Sequence, residues 1–306
     1  MRWYEKFDEW AAAELTGMTV LKDEPLSRHC SFRIGGNARR MAFPRTAEEL
    51  TRTVTFSREQ GGAPLLLGNG TNVLFPDEEL ERLVIATDEL GNIERQGEML
   101  TAQCGVTLAR LAVFARSHAL TGLEFAHGIP GSVGGAVVMN AGAYGGEIKD
   151  VLAGAELMTE DGSVRYFPAE ELALGYRRSL LSDRPGCTVL SATFQLRRGD
   201  EAEIRARMEE LMARRMASQP LEYPSAGSTF KRPEGAFAGT LIDQAGLKGL
   251  RVGGAVVSEK HAGFVINTGG ATSADVKELI RQIQQRVRER SGILLETEVR
   301  VITEEA

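Results

Sequence analysis

Residues Gly128-Ile-Pro-Gly-Ser-Val-Gly-Gly-Ala-Val-Val-Met-Asn-Ala-Gly-Ala-Tyr-Gly-Gly146 decide the fold of this chain, and seven of these 19 residues are glycine. Glycine is the costliest residue to order, and it lets the backbone approach a ligand closely. One interpretation is an extended anionic ligand that lies against backbone N–H groups, because successive N–H groups form an anion-binding concavity. The other is a set of tight turns between short strands. Glycine content alone does not separate the two.

A second glycine loop, Gly68-Asn-Gly-Thr-Asn72, follows a short apolar strand predicted at 64–67. A helix over 46–60, capped by Thr46, precedes that strand, and another strand is predicted at 83–86, so this part reads β-α-β. Open α/β sheets hold ligands at the carboxyl ends of their strands. The loop matches neither the dinucleotide fingerprint nor the P-loop motif. Its asparagine and threonine side chains favour ligand contact over a plain turn.

Composition limits the class of protein. The chain has 306 residues, a net charge of 36 − 42 = −6 and 6% aromatic residues. This size accommodates two or three domains, and the acidic balance argues against nucleic-acid binding. Three widely spaced cysteines and four histidines without helical i, i+4 pairing predict no disulfide framework and no metal site. Because no signal peptide or run of about 18 apolar residues is present, we expect a cytoplasmic protein without a membrane span. We also expect a monomer.

Hydrophobic periodicity and end signals predict the remaining elements. The predicted helices are 2–16, 107–118, 200–218 and 275–290, the last ending at Gly292, and the predicted strands are 40–43, 97–106, 151–157, 163–167, 188–197, 263–267 and 293–302. The pattern predicts α+β architecture with a strand-rich middle and a helix at 200–218 that connects to a third unit.

Short motifs along nearly the whole chain resemble the motifs of one protein family, and they occur in the same order as in that family. They are Ser31-Phe-Arg-Ile-Gly-Gly-Asn37, Leu67-Gly-Asn-Gly-Thr-Asn-Val-Leu74, Gly128-Ile-Pro-Gly-Ser-Val-Gly-Gly135, Met139-Asn-Ala-Gly-Ala-Tyr144, Gly175-Tyr-Arg-Arg-Ser179, Ser225-Ala-Gly-Ser-Thr-Phe-Lys231 and Leu295-Glu-Thr-Glu-Val299. Each motif alone is weak, but together they are highly specific. The sequence resembles the UDP-N-acetylenolpyruvoylglucosamine reductases, flavoenzymes of bacterial peptidoglycan precursor synthesis, in their compact form.

The resemblance implies a fold and an activity. The fold is an FAD-binding fold of the vanillyl-alcohol-oxidase (PCMH) type, made of two α+β subdomains at 1–80 and 81–200, followed by a C-terminal α+β substrate-binding domain at 201–306. The implied enzyme reduces UDP-N-acetylglucosamine enolpyruvate to UDP-N-acetylmuramate with NADPH, through FAD held non-covalently. His127 is therefore interpreted as structural, although some relatives in the larger superfamily attach flavin to a histidine.

The resemblance also assigns the two glycine loops to the cofactor. The implied FAD-binding residues are Arg33, Gly68, Asn69, Gly70, Thr71, Asn72, Gly128, Ile129, Pro130, Gly131, Ser132, Gly134, Gly135, Asn140, Ala141 and Gly142. Tyr144 and Lys231 are the implied substrate-binding residues. A pyrophosphate cradle of this kind agrees with the anion-binding interpretation reached from glycine content.

Three residues match the family's active-site residues. Ser228 matches the proton donor, and a serine can serve as an acid only when positive charge nearby lowers the cost of ionising it. Arg177 matches the active-site arginine, whose planar fork suits a carboxylate or enolate oxygen. Glu298 matches the active-site glutamate. Neighbours of the same type, Ser225, Arg178 and Glu296, are interpreted as structural or surface residues.

Two alternatives stay open from the sequence. A different FAD oxidase or dehydrogenase of the same fold would keep the glycine loops and would not require Ser228 and Glu298. A nucleotide-binding protein without enzymatic activity would bind no flavin.

Overall fold

The computed structural model describes residues 1–184 and 186–304, and its helices begin and end where side chains can cap them. Thr107 and Thr272 each accept a hydrogen bond from the backbone N–H three residues later, and Gly292 ends the last long helix with a φ of 73°. The helices are Trp3–Glu14, Ala47–Glu59, Leu108–Ser117, Val133–Met139, Leu180–Asp183, Glu201–Ser218, Ala238–Gln244 and Ser273–Ser291. The five helices predicted from the sequence are confirmed to within two residues at each end.

The cap at Thr46 differs from a capping box in one bond. The Thr46 hydroxyl accepts from the Glu49 N–H as predicted, but the Glu49 carboxylate accepts from the Arg45 N–H at 2.7 Å rather than from Thr46. The Glu49 carboxylate also pairs with the Arg45 guanidinium. This ion pair draws the carboxylate toward Arg45, the residue before the N-cap Thr46.

Three sheets follow one another along the chain. The first has the order Thr19–Pro25, Asn37–Phe43, Leu80–Ala86, Leu65–Leu67, and its last three strands are parallel. The second has the order Val164–Pro168, Leu152–Met158, Thr188–Gln195, Met99–Gln103, Ile93–Gln96, and the third has the order Ser225–Ser228, Phe264–Asn267, Ala255–Val257, Arg251–Val252. Shorter pairs join Gly142–Ala143 with Gly146–Glu147, Leu120–Thr121 with Arg197–Arg198, and Val73–Leu74 with Arg300–Val301.

The first sheet is buried on both faces. Met41 and Val84 pack into one apolar core together with the third sheet and the helix Ser273–Ser291, whereas the neighbouring Ala42 and Ile85 pack into a second core with the middle sheet. Successive strand residues point to opposite faces, so two adjacent residues of one strand reach two cores. The carboxyl end of Leu65–Leu67 lies at this junction and leads into the loop 68–72.

The structure differs from the predictions in several elements, among them the helix Ala238–Gln244 and the strand Ala255–Val257, which were not predicted. The strand Thr19–Pro25, which was not predicted, pairs antiparallel with Asn37–Phe43. The helix Val133–Met139 lies inside the glycine-rich stretch, where turns or a loop were expected. Of the predicted strand 293–302, only Arg300–Val301 forms a strand, and Thr297 forms an isolated antiparallel bridge with Phe230.

The three predicted domains, 1–80, 81–200 and 201–306, stay a prediction. The strand Leu80–Ala86 belongs to the first sheet, so a first unit defined by that sheet extends to residue 86. Across the described residues, no helix combines the length and the apolar character needed to cross a membrane.

Candidate active site

A cavity of about 360 Å³ lies where the two cores meet, and both glycine loops line it. The predicted site residues that line this cavity are Gly68, Asn69, Gly70, Thr71, Asn72, Ile129, Pro130, Gly131, Ser132, Gly134, Gly135, Ala141, Gly142, Arg177, Ser228 and Glu298. Residues as far apart in the chain as Gly68 and Glu298 therefore line the same cavity.

Close packing of the two loops requires glycine at two positions. A Cβ atom on Gly68 would lie 2.2 Å from the Ser132 hydroxyl oxygen, and one on Gly70 would lie 2.0 Å from the His29 carbonyl oxygen. Gly70 also has a φ of 59°, which side chains of L residues rarely adopt. The Asn69 amide donates to the Pro130 carbonyl and joins the loops. The glycines thus place backbone, rather than side chains, at the wall of the cavity.

Backbone donors in the loop 68–72 have no partners within the protein. None of its five N–H groups donates a hydrogen bond to another residue of the described chain, although the Gly70 carbonyl accepts from Ser31. Buried backbone N–H groups almost always find a partner in native proteins, and Gly70 is buried. Unpaired donors beside a cavity are the arrangement that binds an anion.

The stretch 128–146 consists of a loop, a short helix and a small hairpin. Ser132 is the N-cap of the helix Val133–Met139, and its hydroxyl accepts from the Gly135 N–H at 3.4 Å. Gly134 lies against Cys104, where a Cβ atom would be 3.0 Å from the cysteine Cβ. Of the two interpretations of this stretch, turns between strands describe only its end, the pair Gly142–Ala143 and Gly146–Glu147.

Arg177 and Glu298 form an ion pair that joins the turn 175–178 to the segment after the helix Ser273–Ser291. Arg177 Nε donates to Glu298 Oε1 at 2.7 Å, and Nη2 donates to the Gly142 carbonyl at 3.2 Å. Their side chains are only 19% and 15% exposed. Burial raises the pKa of Glu298, and the Arg177 charge opposes this rise. Arg177 has a φ of 53°, in a turn closed by hydrogen bonds between Gly175 and Arg178, and such strain at non-glycine residues is often found at functional sites.

Ser228 lies at the end of an irregular strand. The register of Ser225–Ser228 against Phe264–Asn267 shifts between its two ends, and Gly227 has a φ of 74°. Bulges of this kind turn a side chain away from the regular alternation. Ser228 lines the cavity, whereas Ser225 does not.

A second cavity of about 430 Å³ adjoins the first. Arg177, Ser228 and Glu298 line both cavities, so the three predicted catalytic residues stand at the junction. The second cavity is also lined by Arg232, Lys248, Lys260 and Asp243, which gives four basic and two acidic side chains, 4 − 2 = +2. This charge suits a phosphorylated ligand.

Five predicted site residues, together with His127, line neither cavity. The five are Arg33, Gly128, Asn140, Tyr144 and Lys231. Arg33 is exposed, and Lys231 Nζ pairs with Glu296 at 3.3 Å. Glu296 and Glu298 thus have different partners, Lys231 and Arg177.

Asn140 is fully buried and its side-chain amide is used within the protein. It donates to the Glu147 carboxylate and to the Gly175 carbonyl, both at 3.0 Å, and accepts from the Lys149 N–H at 2.9 Å. Asn140 therefore fixes the turn that carries Arg177, and its predicted role in cofactor binding stays a prediction. As the helix C-cap it has a φ of 41°.

Replacing Asn140 by alanine is expected to lower the free energy of unfolding by about 1–3 kcal/mol, because buried polar groups lose their partners. Urea unfolding measures this change. The matched control is Asn92→Ala, which removes an exposed asparagine that contacts Glu94 and is expected to change the free energy by less than about 0.5 kcal/mol. Equal effects of the two substitutions would contradict the role of Asn140.

Sequence reasoning found Arg177 but missed other basic residues that line the cavities. Arg215, Lys248 and Lys260 come from different elements, and no local motif surrounds them. Lys231 was favoured because it lies in a motif. A single sequence does not show that basic residues from separate elements line neighbouring cavities.

Comparisons with known proteins agree with this geometry. Residues 219–302 match the model of the UDP-N-acetylenolpyruvoylglucosamine reductase C-terminal domain, and residues 38–167 match an FAD binding domain. The chain is 49% identical over 286 residues to the UDP-N-acetylenolpyruvoylglucosamine reductase of Geobacillus kaustophilus, covering 94% of both chains. It is 47% identical over 287 residues to that of Alkaliphilus oremlandii, again covering 94% of both.

A solved structure gives the same result for the fold. The crystal structure of the UDP-N-acetylenolpyruvylglucosamine reductase from Thermus caldophilus superposes with a TM-score of 0.79 at 37% identity, covering 94% of this chain and 99% of that one. The predicted α+β FAD-binding fold with a C-terminal domain is thereby confirmed. The chain belongs to the UDP-N-acetylenolpyruvoylglucosamine reductase family.

Proposed function

We infer that this protein is an FAD-dependent oxidoreductase that reduces UDP-N-acetylglucosamine enolpyruvate to UDP-N-acetylmuramate with NADPH, in peptidoglycan precursor synthesis. Membership of the family and the FAD binding domain at 38–167 support this function. The structural observation that carries it is the junction of the two cavities, because Arg177, Ser228 and Glu298 face both the cofactor side and the ligand side. A cytoplasmic location and a monomeric state stay predictions.

The first cavity, which both glycine loops line, fits FAD. Its unpaired N–H groups at 68–72 would hold the two negative charges of the cofactor's diphosphate. The apolar side chains Leu66, Ile129 and Val189 line the same cavity and suit the flat rings.

Bound FAD supplies the hydride chemistry of both half-reactions. The protein must stabilise negative charge on the enolpyruvyl group and provide one proton. We assign the charge stabilisation to Arg177, which Glu298 and the Gly142 carbonyl hold in place. We assign the proton to the Ser228 hydroxyl, whose acidity the basic side chains of the second cavity increase.

The second cavity is proposed to receive the sugar nucleotide. Lys260 donates to the Met216 carbonyl at 2.7 Å, and Lys248 pairs with Asp243 at 2.9 Å, so both ammonium groups are held near the cavity wall. Arg232 lies over the Phe237 ring at 4.5 Å. These cations are better placed for the diphosphate than Lys231, which pairs with Glu296 outside the cavity.

The proposed function predicts a yellow protein whose flavin bleaches under anaerobic NADPH and regains its absorbance when the enolpyruvyl sugar nucleotide is added. Absorbance near the flavin band in stopped flow follows both steps. Buffer in place of the sugar nucleotide is the control. Rapid reoxidation by oxygen alone, with no response to the sugar nucleotide, would instead favour another oxidase of this fold, and a colourless protein that takes up no FAD would refute flavin chemistry.

A further inference from the structure

Glu147 is a partly buried carboxylate that lies beside the residues holding Arg177. Its side chain is 27% exposed, and it lines neither of the two cavities. It belongs to the short strand Gly146–Glu147, where it lies directly opposite Gly142 in an antiparallel pair. No step of the proposed reaction uses this carboxylate directly, so any part it has in the reaction must act through a neighbour.

Two paths of hydrogen bonds lead from Glu147 to Arg177. In the first, the Asn140 amide donates to Glu147 Oε2 and to the Gly175 carbonyl, both at 3.0 Å. Gly175 begins the turn 175–178, in which Arg177 has a φ of 53°. In the second, Glu147 pairs with Gly142, whose carbonyl accepts from Arg177 Nη2 at 3.2 Å. Glu147 therefore supports both the backbone and the guanidinium of Arg177.

The Glu147 side chain is itself held from several sides. A Cβ atom on Gly142 would lie 2.7 Å from Glu147 Cγ, so glycine at this position leaves the space that the side chain fills. The Glu147 N–H donates to Asp150 Oδ2 at 2.8 Å, and Lys149 Nζ pairs with Glu147 Oε2 at 2.7 Å. The bond to Lys149 and, more weakly, the Arg177 charge lower the pKa of Glu147, which is thus a carboxylate at neutral pH.

The turn that carries Arg177 depends on this support. Arg177 has a positive φ, which residues other than glycine rarely adopt, and such a conformation persists only where the surroundings enforce it. Asn140 is fully buried, and a buried donor without an acceptor is costly. If the Glu147 oxygen were removed, the Asn140 amide would be expected to turn toward another acceptor and to release the Gly175 carbonyl.

We propose that Glu147 is a positioning residue for Arg177, which it holds through Asn140 and Gly142 in the place where the guanidinium meets the enolpyruvyl group. This inference rests on the role given to Arg177 in the proposed function. The hydrogen bond that Glu147 accepts carries the effect, because Lys149 already balances its charge. A group that stabilises developing charge is effective only when it is held in place before the reaction.

The test compares FAD-loaded Glu147→Ala, Glu147→Gln and wild-type protein by anaerobic stopped flow. Glu147→Ala should slow reoxidation at saturating enolpyruvyl sugar nucleotide about tenfold, less than the 10²-fold cost of a full displacement by about 1 Å. Reduction by NADPH should keep its wild-type rate. Glu147→Gln retains a side-chain oxygen for the Asn140 amide and should reoxidise at nearly the wild-type rate.

Combined substitutions separate a role through Arg177 from a general structural role. In an Arg177→Met background, Glu147→Ala should cause no further slowing, because residues that act as one unit are not additive. Glu49→Ala is the matched control, since Glu49 is also a partly buried carboxylate, 13% exposed, and pairs with Arg45 away from both cavities. It should change neither half-reaction.

Three results would overturn the proposal. They are a wild-type reoxidation rate in Glu147→Ala, equal slowing in Glu147→Ala and Glu147→Gln, and slowing by Glu147→Ala that persists in the Arg177→Met background. If Glu147→Ala does not fold, Glu147→Met removes the same acceptor with less loss of volume. Failure of the proposed function would appear in the wild-type protein, whose flavin would then not respond to the sugar nucleotide, whereas failure of this inference would appear only in the variants.

Discussion

Replacing Ser228 by alanine is expected to slow reoxidation of the reduced protein by the enolpyruvyl sugar nucleotide by about 10²–10⁴-fold, the usual cost of losing a positioned acid. Reduction by NADPH should proceed at nearly the wild-type rate, because that step needs no proton from Ser228. The side chain lies at the junction of the two cavities, beside the basic groups of the second. Anaerobic stopped flow measures the two half-reactions separately.

Ser225→Ala is the matched control for this prediction. Ser225 is on the same strand but lines neither cavity, and its carbonyl accepts from Ser31 at 2.6 Å. Its replacement should change neither half-reaction. Equal slowing of both half-reactions in Ser228→Ala would mean that this serine supports the site generally and does not donate the proton.

Sequence was sufficient where the determinants of structure are local. The helices that follow Thr107 and Thr272 were predictable because a cap and an apolar face lie within one segment. The strand Thr19–Pro25 was not, because it is partly exposed, carries charged residues and lacks the apolar alternation of a half-buried strand. The helix Val133–Met139 contains two glycines and three valines, which are poor helix formers, and burial of its apolar face stabilises it.

In the site, too, residues whose role is local could be predicted, and residues whose role depends on distant partners could not. The loops 68–72 and 128–131 carry their chemistry in their own backbone, so glycine content pointed to them. Asn140 looks like a ligand-binding residue in its motif, yet its amide is consumed by three internal hydrogen bonds. Arg215 belongs to none of the motifs, and only the structure shows that it lines the first cavity from the helix Glu201–Ser218. Roles that depend on burial and on partners distant in the chain cannot be predicted from one sequence.

Arg177 and Glu298 are expected to act as one unit. Replacing Arg177 by methionine removes the fixed charge proposed to stabilise the enolpyruvyl group, and should slow flavin reoxidation by about 10²–10³-fold, as the loss of one preorganised donor does. Glu298→Gln should slow it as well, since Nε of Arg177 then loses its carboxylate partner at 2.7 Å. The double variant should be little slower than Arg177→Met alone, because residues that act together are not additive.

The pH dependence of reoxidation shows whether Glu298 acts as a charged carboxylate that holds Arg177 or as a protonated acid. Because burial raises its pKa, Glu298 loses its charge, and with it the ion pair to Arg177, at a higher pH than an ordinary glutamate near 4.3. The wild-type rate should therefore fall as the pH drops through this raised pKa, and Glu298→Gln should lack that decline. Arg178→Gln is the control, since Arg178 is a surface residue paired with Asp183 at 3.6 Å, and it should keep the wild-type profile. A rate that instead rises as the pH falls would show that Glu298 works protonated, as an acid, and would contradict its role as the carboxylate that holds Arg177.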